Sequence, residues 1–340
     1  MRQMKFKDFR DELRNYMENE HPEMNWELQT VNKVNKGEMT SITGRMEGQT
    51  IAPCLYIDSF YEKYLQEDMT FSAIATIVDH KYQDMRKMGI HFDMEHFMDF
   101  EGMKDNIVAQ LVNRKTNTAV LNTIPHTDVA GDMAVIYREV ISIDQDGMSS
   151  ILINNDMLKE WNLPVEELHE IALNNTPKLA PIKIQKLMDV ILDVIETQNV
   201  VSDEELKMFR EYSASKEDPL QMTVVTTENA VNGATAILYP EFQEWLKSYG
   251  ENAVILPSSV SEVICIKPEA GHSIEELKEL VCEVNQNVVS KEEYLSDNVY
   301  QVKDGKLMTM EQQHTNDMDS IIEKMLNDME PPEPDFGLEI

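Results

Sequence analysis

Between Val254 and Ile266 the chain sets two apolar runs, Val254-Ile255-Leu256 and Val263-Ile264-Cys265-Ile266, on either side of a polar break, Pro257-Ser258-Ser259-Val260-Ser261-Glu262. Short apolar runs bounded by turn residues read as buried strands, and Pro257 cannot donate a ladder hydrogen bond, so the break is a connection and not part of a sheet. The chain must therefore fold around a buried sheet that carries a tight, hydroxyl-rich link.

The rest of the sequence alternates between helical and strand-like patterns. Met4, Phe6, Phe9, Leu13 and Met17 recur near a 3.6-residue period and predict a first helix that His21-Pro22 ends. Residues 26–46 change to alternation around Asn35-Lys36-Gly37-Glu38 and predict a hairpin, followed by a strand over 51–57. Helices are expected over 59–66 and, behind a Thr70 cap, over 70–88. Shorter helical signals cover Met94 to Phe100, Ile107 to Val112 and Thr116 to Leu121. Ile124-Pro125-His126-Thr127-Asp128 interrupts them and offers a lobe boundary.

Beyond it, Met133 to Ile143 and Met148 to Ile153 predict a second hairpin around Asp144-Gln145-Asp146-Gly147. A short helix near 157–161 and a longer one opened by Pro164 come next. Residues 181–197 fit a strand followed by a helix, and Ser202-x-x-Glu205, Ser273-x-x-Glu276 and Ser290-x-x-Glu293 each resemble a capping box that opens a helix. A strand is expected over 222–226, helices over 234–239 and 242–249, and strands over 298–302 and 307–310. The chain thus divides into an N-terminal lobe over 1–125, a C-terminal α+β lobe over 126–305 and an acidic tail over 306–340, the two lobes fitting one composite domain equally well. In the tail, Met318, Ile321, Ile322, Met325, Leu326 and Met329 form one helical stripe. The expected class is α+β, a mainly antiparallel sheet structure packed with helices.

Charge separates the function classes. Against 30 basic residues stand 62 acidic ones, a net of −32, and such a surface repels both nucleic-acid phosphates and anionic membranes. Carboxylates arranged like duplex phosphates would make a nucleic-acid mimic, but the acids here are spread through nearly every helix. No apolar run approaches the roughly 20 residues of a spanning helix, and no apolar segment follows the basic start, so a soluble cytoplasmic protein is expected. Cys54, Cys265 and Cys282 have no paired spacing and read as small core residues.

Several strings occur together: Ile51-Ala52-Pro53-Cys54-Leu55-Tyr56-Ile57, Ile124-Pro125-His126, Asn174-Asn175-Thr176-Pro177, Asn232-Gly233-Ala234-Thr235-Ala236-Ile237-Leu238-Tyr239-Pro240, Ile255-Leu256-Pro257-Ser258-Ser259-Val260-Ser261-Glu262-Val263, Val284-Asn285, and Leu295-Ser296-Asp297-Asn298-Val299-Tyr300. In order and spacing the chain resembles, over residues 3 to 305, an uncharacterised domain-of-unknown-function family of intracellular proteins from Gram-positive gut anaerobes. The resemblance implies a compact α+β protein and no particular activity. It also implies a histidine where this chain has Ser261.

The candidate reactive groups are few. Ser258 and Ser259, with Glu262, could act as a hydrolase centre if His126 and Asp128 supplied the base and its orienting acid, although no G-x-S-x-G elbow accompanies them. His91, Asp93, Glu95 and His96 form the densest ligand-like cluster, but the spacing of the two histidines does not place them on one helical face, and no metal is expected. Phosphate-binding glycine motifs are absent and no cofactor is expected. The leading expectation is a non-enzymatic protein that binds another protein, with the methionine-bearing tail helix and the acidic surface as its contact features; the alternatives are the Ser258/Ser259/Glu262 hydrolase and the acidic mimic.

Overall fold

A computed structural model describes residues 4–311 apart from 50–51, 67–68, 89–98, 145–146, 198–200, 216–221, 251 and 268–272. The His91 to His96 cluster and the methionine stripe of the tail lie outside the described residues.

The first helix, α1 (Phe6–Glu20), buries Phe9, Leu13 and Met17 completely, the stripe its period requires. A hairpin follows, β1 (Asn25–Lys33) and β2 (Gly37–Arg45), in register from Asn25↔Arg45 to Lys33↔Gly37. Asn35 and Gly37 at its tip take positive φ, which asparagine and glycine adopt with least strain. The strand expected over 51–57 shrinks to β3 (Leu55–Tyr56), paired with β2. Helices α2 (Asp58–Gln66) and α3 (Phe71–Met88) close this part around Ile42, Phe60, Ile74 and Val78, and Thr70 Oγ1 accepts from Ala73 N at 3.3 Å as the sequence predicts.

Where a helix was expected over Ile107 to Val112, the chain forms a strand, β4 (Ile107–Asn113). Every residue of it is buried. A strand covered on both faces loses the alternation that distinguishes strand from helix, and its alanine, leucine and glutamine favour helix in isolation. β4 pairs antiparallel with the long β6 (Met133–Asp144), which also holds β5 (His126–Asp128) and β7 (Gly147–Leu152). Residues 124–128 thus lead into a strand of the same sheet as β4.

One face of this sheet carries Ile107, Ala109, Leu111, Val135 and Tyr137 into the largest core cluster. Helix α4 (Phe100–Met103) precedes β4, and α5 (Thr118–Leu121) packs Val120 and Leu121 on the opposite face, beside Val112, Ala134 and Ile136. Two helices follow β7: α6 (Asn155–Trp161), with Asn154 capping, and α7 (Val165–Leu179), which packs Leu168 and Ala172 into the largest cluster.

A six-stranded sheet closes the other side of that cluster, in the order β13-β12-β10-β11-β9-β8. Its strands are β8 (Ile182–Lys186), β9 (Thr223–Thr227), β10 (Val254–Leu256), β11 (Val263–Ile266), β12 (Tyr300–Lys303) and β13 (Lys306–Thr309). β10 and β11 are the two apolar runs that flank Pro257 to Glu262, and they pair antiparallel with Ile255 opposite Cys265.

Ser202 and Ser273 cap their helices as expected, over Asp203–Ser215 and Ile274–Asn287. Ser290-x-x-Glu293 does not open a helix: Glu293 N and Tyr294 N both donate to Ser290 O, one turn forms, and Ser259 bridges to Tyr294. Cys265 is buried as predicted, Cys282 is partly buried, and Cys54 is exposed instead of in the core.

Candidate functional site

The link between β10 and β11 is fastened to two other segments by its backbone. Ser258 O accepts from Leu295 N at 3.0 Å, Val260 N donates to Glu293 O at 2.8 Å, and Val260 O accepts from Ala234 N at 3.1 Å. Ser259 Oγ accepts from Ser261 N at 3.0 Å, a local turn bond of the kind serine forms readily. The Glu262 carboxyl is raised above its ordinary pKa, first by the protein packed around it and then by the charge of Glu293.

His126 and Asp128 stand in β5, opposite Ile136 and Ala134 of β6. The His126 ring places Nδ1 3.3 Å from Ile124 O, and Asp128 accepts from Arg114 Nη1 at 2.7 Å. Among the described residues, no hydrogen bond joins either of them to Ser258, Ser259 or Glu262.

Asp132 heads a different group, to which the family-like string Leu295 to Tyr300 contributes Ser296 and Tyr300. Its carboxylate is 4% exposed and accepts from Ser296 Oγ at 2.5 Å, Tyr300 OH at 2.7 Å and Asn113 Nδ2 at 3.2 Å. Burial pushes this carboxyl up. The hydrogen bonds from Ser296 and Tyr300, aided by Asn298 and the charge of Lys115, outweigh that and hold it below the ordinary aspartate value. Nearby, Asn285 Nδ2 donates to Ser296 O and to Asp297 Oδ1. The network ties the end of β4 to the segment before β12.

An open cleft of about 300 Å³ lies where the tip of the β1–β2 hairpin meets the β4–β6–β7 sheet, lined by Asn35, Gln110, Arg138, Ser150, Asn232 and Glu292. Val260, from the link, forms part of its wall. The tip is held there by Asn117, whose Oδ1 accepts from Asn35 N at 2.7 Å and whose Nδ2 donates to Asn35 Oδ1 at 2.8 Å.

Strand alternation explains which side chains enter. Val135 and Tyr137 of β6 point into the main core, so Ile136 and Arg138 point away from it, and Gln110, paired with Ile136, joins them. Arg138 Nε donates to Ser150 Oγ at 2.7 Å, and among the described residues no carboxylate pairs with its guanidinium. Burial alone pulls the Arg138 pKa down, but not far enough to remove the charge of a guanidinium.

Gln110 is 8% exposed, its Oε1 is buried without a donor, and among the described residues its side chain makes no hydrogen bond. Lys33, whose ammonium lies 4.5 Å from the centre of the Tyr56 ring, is lowered by burial, with Cys54 opposing and the charges of Arg138 and Lys36 adding to the shift. Lys33 therefore feels two other cations in a chain whose net charge is −32.

Sequence reasoning passed over Arg138 and Gln110. A single arginine and a single glutamine inside strands form no motif, and only the mispredicted β4 places them side by side. The one available signal was a charged residue within the apolar run Met133 to Ile143.

Fold and site together define an α+β protein, built of antiparallel sheets, with a cleft beside its hairpin tip that holds the Arg138 guanidinium. The chain belongs to a family of unknown function (DUF5688), whose model matches residues 5–303. No curated protein and no solved structure matches it.

Proposed function

We propose that the protein is a non-enzymatic module that binds another protein, and that the cleft beside the hairpin tip is where the contact is made. The observation that carries this reading is Gln110, nine-tenths buried at the cleft without a hydrogen-bond partner among the described residues. Buried polar groups in folded proteins nearly always have partners, and leaving one unmatched costs about 1–3 kcal/mol. A partner that donates a hydrogen bond to Gln110 Oε1 gains what the free protein lacks.

The turn and backbone bonds of Ser258 to Val260 support an architectural role for the hydroxyl-rich link, which builds the cleft wall through Val260. The free cysteines support a reducing compartment and hence the cytoplasm. The net charge of −32 supports a partner other than nucleic acid or an anionic membrane. No helix among the described residues is long and apolar enough to cross a membrane.

The test is affinity capture at physiological salt with the full chain and with Gln110→Leu, Arg138→Met and Ser259→Ala variants. One protein recovered by the wild type and by Ser259→Ala, but lost from both cleft variants, is the expected result. Recovery of no stable partner, or equal recovery from all four chains, overturns the reading.

A further inference from the structure

We propose that the group recognised in this cleft is an oxyanion, a carboxylate or a phosphate, held between the Arg138 guanidinium and the Gln110 amide. The inference takes its location from the cleft reading above, but does not require that the oxyanion be carried by a protein.

The uncommitted polar groups of the cleft are weighted toward donors. Arg138 uses Nε on Ser150, which turns its remaining nitrogens into a planar fork with no carboxylate of the described chain to occupy it. A guanidinium fork is matched by two oxygens of one carboxylate or phosphate, and hydrogen bonds to charged groups are the strong ones. Ser150 Oγ also fixes the side chain, so little rotamer freedom remains to be lost on binding. Gln110, on the neighbouring strand, can offer the anion only its Nε2 donors; its unmatched Oε1 is an acceptor, which an oxyanion does not satisfy and which takes no part in this inference.

The surroundings select the sign of the ligand. Lys33 and Lys36 stand on the hairpin either side of Val34 and Asn35, which line this cleft, and the charge of Arg138 opposes that of Lys33. Glu292 is the one carboxylate among the lining residues, and it is exposed. Like charges held together with too few acids between them are stabilised by any anion that enters, whereas an amine or an apolar group would leave the repulsion in place. The volume, about 300 Å³, suits a small acid or the tip of an acidic side chain.

The experiment is a calorimetric titration of the full chain at low ionic strength, with inorganic phosphate in one arm and succinate in the other. Saturable binding of at least one is expected. It should weaken roughly tenfold or more in Arg138→Met and in Gln110→Leu, as loss of a hydrogen bond to a charged group implies. Lys36→Met, a substitution at an exposed hairpin tip that leaves the fold alone, should weaken it about two- to fivefold, with the difference shrinking as salt rises.

Phosphate binding with no response to succinate assigns the site to phosphate, and the reverse assigns it to carboxylate. Flat titrations in both arms, or binding that Gln110→Leu and Lys36→Met leave unchanged, overturn the inference. If the anions bind as expected while affinity capture recovers no partner, the ligand is a free small anion, and the protein-binding reading fails while this one stands. If capture depends on Arg138 but neither anion binds, this inference fails and the protein-binding reading stands.

Discussion

The backbone N–H of Leu111 donates to the hydroxyl of Thr235 at 3.0 Å, across 124 residues of chain. Two residues earlier, Ala109 N donates to Thr176 Oγ1 at 2.9 Å, and the Asn175 amide reaches Ile107 O at 3.2 Å. Among the described residues β4 ends its sheet, with β6 on one side only. The other edge is buried, so its polar groups need partners that no strand supplies. Side chains of α7 and of the 3-10 segment Gly233–Leu238 take the place of the missing strand.

Replacing Thr235 by valine keeps the shape and removes the acceptor, which leaves the Leu111 N–H buried and unmatched. Urea denaturation should show a loss of about 1–3 kcal/mol for Thr235→Val, with Thr235→Ser close to wild type. Equal stability of the valine variant would mean that water or a shifted carbonyl serves that edge.

Gly233 allows the same segment to approach the link. A Cβ built there would stand 2.1 Å from Ser261 O and 2.1 Å from Thr226 Oγ1, the latter already donating to Ser261 O. Backbone cannot yield as a side-chain tip can, so Gly233→Ala should destabilise by more than about 3 kcal/mol or prevent accumulation of folded protein. A variant that melts with the wild type would contradict the close approach.

Asp132 gives the protein an acid-sensitive joint. Its folded pKa lies below the ordinary carboxylate value, so on acidification the unfolded chain takes up the proton first. The stability it contributes is complete above the ordinary carboxylate pKa and is lost as pH falls through the folded one. Asp132→Asn should lower stability at neutral pH by about 1–3 kcal/mol and flatten the acid limb of the stability curve. Parallel acid limbs in the two proteins would place the acid sensitivity elsewhere.

The hydroxyls of Ser258 and Ser259 should remain unreactive toward a fluorophosphonate probe, because Ser259 Oγ accepts from Ser261 N and, among the described residues, neither serine has a hydrogen-bonded base. Mass spectrometric detection of label on either serine would restore the hydrolase.

Much of the local structure was legible from the sequence. The hairpin with Asn35 and Gly37 at its tip, the capping boxes at Ser202 and Ser273, and the two strands around Pro257 follow from turn and cap chemistry that acts over a few residues. β4 was not legible, because burial on both faces erased its period. Ser290-x-x-Glu293 carries the letters of a capping box, but its turn is occupied by the bridge from Ser259 to Tyr294. The family-like strings stood out as strings, yet what Thr176, Thr235 and Ser296 do there depends on partners 67, 124 and 164 residues away. The cleft follows from β4 and was hidden along with it.

Side-chain NMR of Arg138 and Gln110 tests the account most directly. During titration with inorganic phosphate or succinate, the Arg138 Nε–H and Gln110 Nε2 resonances should move along one saturating curve, together with Val34 and Val260 in the cleft wall. Resonances at these positions that stay fixed, while exposed lysines elsewhere shift without saturating, would contradict it.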